Sequence, residues 1–274
     1  MTSLNRVLTA YRERRLLGAV KARIIYPYRR LNLRSRYHLL RGKRTLDFGT
    51  VKIPFLVSQQ TDLSALCNTY SWERVIWEII LRELRPNDVF WDVGANIGFY
   101  SLLAASRPGT NVIAFEPNPT TMKVLRRNIE LNKRDNIRVL NLALSDSEGT
   151  ARFDTIRRDS TDAKAHLAAE KTDGTIEVET SRGDRLIESG DIQGPDILKI
   201  DVEGAEYLVI KGMGEALSCC RLIICEVHSR MWRYGSNADD LETYLHHRGF
   251  SIDEKIHFPR YGTYQILAMH HFTG

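Results

Sequence analysis

No stretch of 18 consecutive apolar residues occurs in the 274-residue chain, so no membrane-spanning helix is expected. The first residues lack the continuous apolar segment of a secretory signal. Cysteine is scarce: Cys67, Cys219, Cys220 and Cys225 contain no Cys-x-x-Cys spacing. Cys219 and Cys220 are adjacent and do not readily bridge each other, and Cys225 lies in an apolar run. These features predict reduced thiols in a cytoplasmic setting and disfavour a zinc site. No internal repeat is evident. Acids are nearly missing from the first 44 residues, which hold 13 Lys and Arg against the single Glu13, a net charge of +12. The remainder carries 26 Lys and Arg against 33 Asp and Glu, a net of −7. The overall +5 therefore averages an acidic body and a basic extension, and attraction to phosphate or anionic lipid should reside in that extension.

What is present suits a globular α/β domain with an extension: 43% hydrophobic and 27% charged residues. The most informative stretch is Val89-Phe-Trp-Asp-Val-Gly-Ala-Asn-Ile-Gly-Phe-Tyr100, followed by Asn111-Val-Ile-Ala-Phe-Glu-Pro-Asn-Pro119. An apolar run meets a small-residue turn (Gly94 to Gly98), then a helical pattern, then a second apolar run ending in Glu116, 22 positions after Gly94. An acid about 20 residues beyond such a turn is placed to accept hydrogen bonds from a ribose diol. The turn has Asn96 where the second glycine of a dinucleotide fingerprint would stand, so a pyrophosphate cradle is not expected.

Periodicity organises the rest. Residues 4–25 show helical spacing of apolar positions with arginines between them, interrupted by Pro27. They read as a basic amphipathic helix, on an anionic membrane surface or RNA, or packed on its own domain. Residues 45–60 read as a β-ribbon, and Thr69 to Leu84 as a helix capped by Ser71, with Val75, Ile76, Ile79, Ile80 and Leu84 buried. Strands are predicted at 89–93, 111–116 and 137–143, with helices at 98–106 and 119–132. A hairpin follows at 150–154 and 175–182, with a flexible loop from Arg157 to Gly174. A short helix covers Asp184 to Glu188. Further strands fall at Asp196 to Val202 and Arg221 to Val227, with a helix from about Ala205. A helix from Asp239 to Arg248 ends at Gly249, and strands at 250–256 and 263–269 close the chain. Strands alternating with helices predict a doubly wound, mostly parallel sheet. The expected divisions are a basic helical extension (1–44), a ribbon and cap helix (45–84) and a cofactor-binding domain (85–274).

Five blocks narrow the family: Asp92-Val-Gly-Ala-Asn-Ile-Gly98, Phe115-Glu-Pro-Asn-Pro119, Asn141-Leu-Ala-Leu-Ser-Asp-Ser-Glu-Gly149, Lys199-Ile-Asp-Val-Glu-Gly-Ala-Glu206 and Ile224-Cys-Glu-Val-His228. Over roughly residues 70–270 the chain resembles the FkbM family of methyltransferases. The resemblance implies a seven-stranded class I methyltransferase sheet, Rossmann-like, with an antiparallel C-terminal strand. It also implies an S-adenosylmethionine-dependent O-methyltransferase acting on sugars or metabolite hydroxyls. The expected cofactor residues are Asp92, Gly94, Ala95, Asn96, Gly98, Glu116, Leu144 and Ser145. Glu116 is assigned to the ribose, Leu144 and Ser145 to the adenine, and Asp92 to the glycine turn and the methionine end.

A hydroxyl acceptor has a high pKa, so a base or a metal assists methyl transfer. His228, Asp201 and Glu203 are the catalytic candidates. A divalent metal on Asp201 and Glu226 is the alternative. Glu203 and Glu206 also fit as carboxylates at a helix N-terminus, and Lys199 either faces the opposite side of the sheet or pairs with one of the acids. Trp72, Trp77, Trp232 and Tyr234 are candidates for stacking on a sugar, though aromatics at helical spacing more often serve the core. The favoured expectation is an O-methyltransferase acting on a hydroxyl or carboxyl of a sugar, glycan or small metabolite, with residues 1–44 meeting the cytoplasmic face of an anionic membrane. RNA ribose methylation is the alternative. The chain has Asp201-Val-Glu-Gly204 where enzymes that methylate base amines place Asn/Asp-Pro-Pro-aromatic. A non-catalytic protein retaining the cofactor fold is a third class, disfavoured by the intact turn and ribose acid.

Overall fold

A computed structural model describes residues 42–155, 166–167, 174–258 and 263–270. The predicted basic helix and most of the Arg157–Gly174 loop lie outside the described residues. The chain opens with an antiparallel ribbon, β1 (Gly42–Asp47) and β2 (Lys52–Val57), then α1 (Gln60–Trp72) and α2 (Arg74–Glu83). The single helix expected from Thr69 is thus two. Ser71 lies in the last turn of α1, and the break falls at Glu73, whose carboxylate accepts the Tyr100 hydroxyl at 2.5 Å. The predicted apolar face of α2 is buried as expected.

The alternating units follow: β3 (Val89–Val93), α3 (Phe99–Ala104), β4 (Asn111–Phe115), α4 (Pro119–Leu131) and β5 (Ile137–Leu140). The Asn118 side chain caps α4 by accepting the Thr120 and Thr121 N–H groups, with Pro119 at the first helical position. The strand expected through residue 143 stops at Leu140. The Asn141 side chain there donates to the carbonyls of Glu116 (2.7 Å) and Pro117 (3.0 Å), and the chain leaves the sheet. It builds a smaller one from β6 (Ala143–Leu144), β7 (Gly149–Asp154), β8 (His166–Leu167) and β9 (Thr175–Ser181), in the order β6-β9-β7-β8. After α5 (Gly183–Glu188) come β10 (Ile197–Ile200), α6 (Glu206–Met213), β11 (Leu222–Val227), α7 (Ala238–His247), β12 (Phe250–Phe258) and β13 (Thr263–His270).

The seven-stranded sheet has the order β12-β13-β11-β10-β3-β4-β5, and β13 alone runs antiparallel to its neighbours. This is the expected class I methyltransferase arrangement. Every residue of β3 is buried, as both faces of a parallel sheet are covered. Alternation divides the strand. Phe90 belongs to the core cluster that holds Ile79 and Ile80 of α2 and Leu102 and Leu103 of α3, whereas Trp91 and Val93 belong to the one that holds Ile210 and Met213 of α6 and Leu241 and Leu245 of α7. Each such large side chain contributes about 1.5–3 kcal/mol by leaving water. From β3 the chain proceeds outward through β4 and β5, then returns to place β10 on the other side of β3. That reversal opens a crevice at the carboxyl ends of β3 and β10.

Candidate active site

Backbone constraints build the crevice. Gly94 follows β3 with φ +84°, and its N–H and that of Ala95 both donate to the Phe115 carbonyl, at 3.0 and 2.9 Å. A Cβ on Gly94 would stand 2.0 Å from the Asp201 carbonyl oxygen. The turn therefore lies directly against the end of β10, an approach open only to glycine. Asn96 is left-handed at φ +52°, and its N–H donates to Glu116 Oε2 at 2.9 Å, while the Asn118 N–H donates to Oε1 at 2.9 Å. Glu116 thus ties the glycine turn to the loop after β4. Burial, only partly offset by these two hydrogen bonds, raises its pKa to about 7.

A cavity of about 480 Å³ lies over these strand ends, within the range of small-molecule sites. Of the expected cofactor residues, Gly94, Asn96, Glu116 and Leu144 line it. Phe153 of β7 and Ile176 of β9 form an apolar wall beside Leu144, and Gln59, Asp62 and Ala65 bring the start of α1 over the opening. Asp92, Ala95, Gly98 and Ser145 support the cavity from behind. Asp92 is buried and accepts the Ser101 hydroxyl at 2.5 Å, so it holds α3; burial lifts its pKa to about 6. Gly98, at φ +90°, would direct a Cβ to 2.5 Å from Leu125 Cδ1. The Ser145 N–H donates to the Ser181 carbonyl.

At one end of the cavity the acids after β10 meet His228. Asp201 and Glu203 line the cavity, and Glu203 is left-handed at φ +57°. His228 Nδ1 lies 2.7 Å from Glu206 Oε1, which also accepts the Gly204 N–H at 2.8 Å. His228 Nε2 lies 3.4 Å from Glu203 Oε1, 3.5 Å from Glu226 Oε1 and 4.0 Å from Asp201 Oδ1. Burial opposes a charge on the ring, but the carboxylates of Glu203 and Glu206 prevail and hold its pKa well above the ordinary imidazole value. The Arg230 guanidinium lies 3.2 Å from Glu203 Oε2. Glu226 accepts the Thr263 hydroxyl and the Gln265 amide, both at 3.0 Å. The structure brings the three catalytic candidates together. Their ligating atoms all lie within 4.8 Å of one another, a set in which Glu203 and His228 join Asp201 where the Asp201–Glu226 pair was expected.

Sequence reasoning missed several members. Glu206 fits a helix-terminal carboxylate, yet it is also the partner of His228. Arg230, Thr263 and Gln265 were not foreseen, although Thr263 and Gln265 share one side of β13 by the two-residue period of a strand. Lys199 is fully buried; its Nζ donates to the Ile200 carbonyl at 3.1 Å and lies 5.2 Å from the Tyr100 ring centroid. Trp77 is a core residue stacked on Tyr70, while Trp232 is 70% exposed.

The strand order, the glycine turn against β10 and the acid beneath the cavity define a class I methyltransferase-type domain. A family model described as the Methyltransferase FkbM domain matches residues 92–252, and the chain belongs to this family. It is similar to the hexuronic acid methyltransferase AglP of Haloferax volcanii, at 36% identity over 157 residues covering 57% of this chain and 63% of that protein. It is also similar to the 31-O-demethyl-FK506 methyltransferase FkbM of Streptomyces tacrolimicus, 36% identical over 178 residues (53% of this chain, 67% of that one). The 2-O-methyltransferase NoeI of Sinorhizobium fredii is 32% identical over 162 residues (52% and 64%). The chain thus spans slightly under two thirds of the lengths of AglP and NoeI.

Proposed function

We propose that this protein transfers a methyl group from S-adenosylmethionine to a hydroxyl or carboxyl oxygen of a sugar, glycan or small metabolite. The observation that carries this is a single cavity lined both by a buried acid suited to a ribose, Glu116, and by Asp201 and Glu203 of the carboxylate–imidazole cluster. The names of the relatives support it: a hexuronic acid methyltransferase, a 31-O-demethyl-FK506 methyltransferase and a 2-O-methyltransferase. The cavity fits the cofactor. Glu116 has both oxygens oriented by backbone N–H groups, with further lone pairs to accept from a ribose diol. Gly94 and Asn96 offer a close backbone, and Leu144, Phe153 and Ile176 offer an apolar wall for a flat base. When bound, S-adenosylmethionine supplies an electrophilic methyl group on a sulfonium.

The chain's own contribution is positional and electrostatic. Holding the acceptor against the cavity wall removes most of the entropic cost of bringing two reactants together. The cluster at Asp201, Glu203 and His228 meets the acceptor hydroxyl where its proton must leave. The basic residues 1–44 would hold the enzyme at the cytoplasmic face of an anionic membrane, bringing it to a lipid-linked acceptor. The test is isothermal titration with S-adenosylmethionine and NAD, followed by mass spectrometry of uronic and neutral sugars incubated with enzyme and cofactor. A 14-Da gain on a hydroxyl or carboxyl, with S-adenosylmethionine bound and NAD not, is expected. A protein that binds no S-adenosylmethionine overturns the proposal.

A further inference from the structure

We propose that Asp201, Glu203 and His228 form a binding site for a divalent cation of the magnesium or manganese type at the wall of the cavity. This rests on the methyl-transfer reading above for its role, but not for its geometry. Ligand atoms around a six-coordinate ion of this kind stand roughly 3 Å apart when adjacent and roughly 4 Å apart when opposite. The nearest oxygens of Asp201 and Glu203 and a ring nitrogen of His228 all lie within 4.8 Å of one another. Two carboxylates with one imidazole make an oxygen-dominated donor set, which suits such ions.

A second observation is independent of the number of acids. His228 is only 5% exposed. Its Nδ1 is engaged by the fully buried Glu206, whose Oε1 is itself fixed by the Gly204 N–H. A carboxylate facing Nδ1 keeps a proton on that nitrogen, so Nε2 is the ring atom turned toward the remaining acids. Nε2 lies 3.4 Å from Glu203 Oε1, 3.5 Å from Glu226 Oε1 and 4.0 Å from Asp201 Oδ1. The acids that converge on Nε2 call for a positive charge among them; a proton on Nε2 meets that need in the free protein, and a divalent ion would take its place. A carboxylate behind a metal-binding imidazole is the usual way to set its tautomer and orientation.

The surrounding groups divide the oxygens accordingly. Arg230 takes Glu203 Oε2 at 3.2 Å, leaving Oε1 on the side of His228. Thr263 and Gln265 each take one oxygen of Glu226, which makes Glu226 an outer member of the site. Asp201 and Glu203 line the cavity, so the remaining coordination positions face the space available to an acceptor. An acceptor hydroxyl drawn onto the ion loses its proton more readily. The proton passes to water on the open side of Asp201, whose side chain is 25% exposed.

The test uses the chelator-treated full chain, titrated with Mn²⁺ and followed by the loss of the free-ion electron paramagnetic resonance signal. S-adenosylmethionine affinity is measured on the same preparation. One Mn²⁺ per chain is expected. Glu203→Gln and His228→Gln each weaken its binding at least tenfold, and Glu206→Gln weakens it by about 10- to 100-fold through the imidazole. Circular dichroism verifies the fold, and the solvent-accessible Asp201→Asn serves as a further variant. Protein that binds S-adenosylmethionine but takes up no Mn²⁺ at millimolar concentration overturns the cation site alone. Uptake unchanged in folded Glu203→Gln and His228→Gln overturns it as well. Mn²⁺ uptake without S-adenosylmethionine binding sustains the site and overturns the methyl-transfer reading.

Discussion

Glu206 Oε1 and His228 Nδ1 lie 2.7 Å apart, joining the first turn of α6 to the residue that follows β11. Glu206 is fully buried and also receives the Gly204 N–H. Glu206→Ala would leave a buried imidazole and a backbone donor unsatisfied, so a loss of about 2–4 kcal/mol is expected in urea unfolding. A loss under about 0.5 kcal/mol would show that the pair does not organise this corner of the fold.

Cofactor binding should depend on pH through Glu116. Burial raises its pKa to about 7, above the ordinary glutamate value, so the free protein holds this group protonated below neutrality. Ribose hydroxyls donate best to the ionised form. S-adenosylmethionine affinity is therefore expected to fall as pH is lowered from 8 to 6, approaching tenfold per unit below pH 7. Calorimetry across that range checks this, and in Glu116→Ala the affinity should be weaker and the slope lost. A flat profile in the parent protein would remove Glu116 from the cofactor's contacts.

Two glycines with similar backbone angles separate torsional strain from steric clash. Gly94 (φ +84°) has the Asp201 carbonyl at 2.0 Å from a built Cβ, whereas Gly235 (φ +70°) has nothing within 4 Å. Gly235→Ala carries only left-handed strain, about 1–2 kcal/mol. Gly94→Ala adds displacement of β10 from β3, and is expected to exceed it by at least about 2 kcal/mol and to abolish S-adenosylmethionine binding. Thermal unfolding of the two variants side by side decides it; equal losses would contradict the close approach.

Arg221 and Asp88 join the opposite edge of the sheet, with Nη1 to Oδ1 at 3.0 Å and Nη2 to Oδ2 at 2.5 Å, both side chains largely buried. Asp88→Ala leaves the guanidinium without this partner and should destabilise by about 3–5 kcal/mol. Because β3 points its other end at the cavity, the S-adenosylmethionine affinity of the folded variant should stay within about twofold. A large change in affinity would mean that this edge communicates with the site.

Where a local pattern decides structure, the sequence was readable. The β3–turn–α3–β4 unit is carried by contiguous apolar runs, two glycines and one acid, and its strands were placed within a residue. The ribbon and the β7–β9 hairpin follow from alternation alone. The helix break at Glu73 was not legible; the carboxylate there meets the Tyr100 hydroxyl, 27 positions away, a partner no local pattern announces. Nor was the exit of the chain from the sheet at Asn141, which the carbonyls of Glu116 and Pro117 attract. The acids around His228 were recognisable as candidates from Asp201-Val-Glu-Gly-Ala-Glu206. Their pairing was not, because it depends on which oxygen faces which nitrogen once β10 and β11 lie side by side.

The floor and the sides of the cavity have separate origins. Its floor is made by the ends of β3, β4 and β10, which the seven-stranded sheet fixes. Its sides come from α1 and from the β7–β9 hairpin, neither of which belongs to that sheet. Remodelling either side leaves the hydrogen bonds of the floor untouched. Redesign toward a bulkier or differently shaped acceptor would therefore start at Ala65, Phe153 and Ile176, and leave Gly94 and Glu116 as they are.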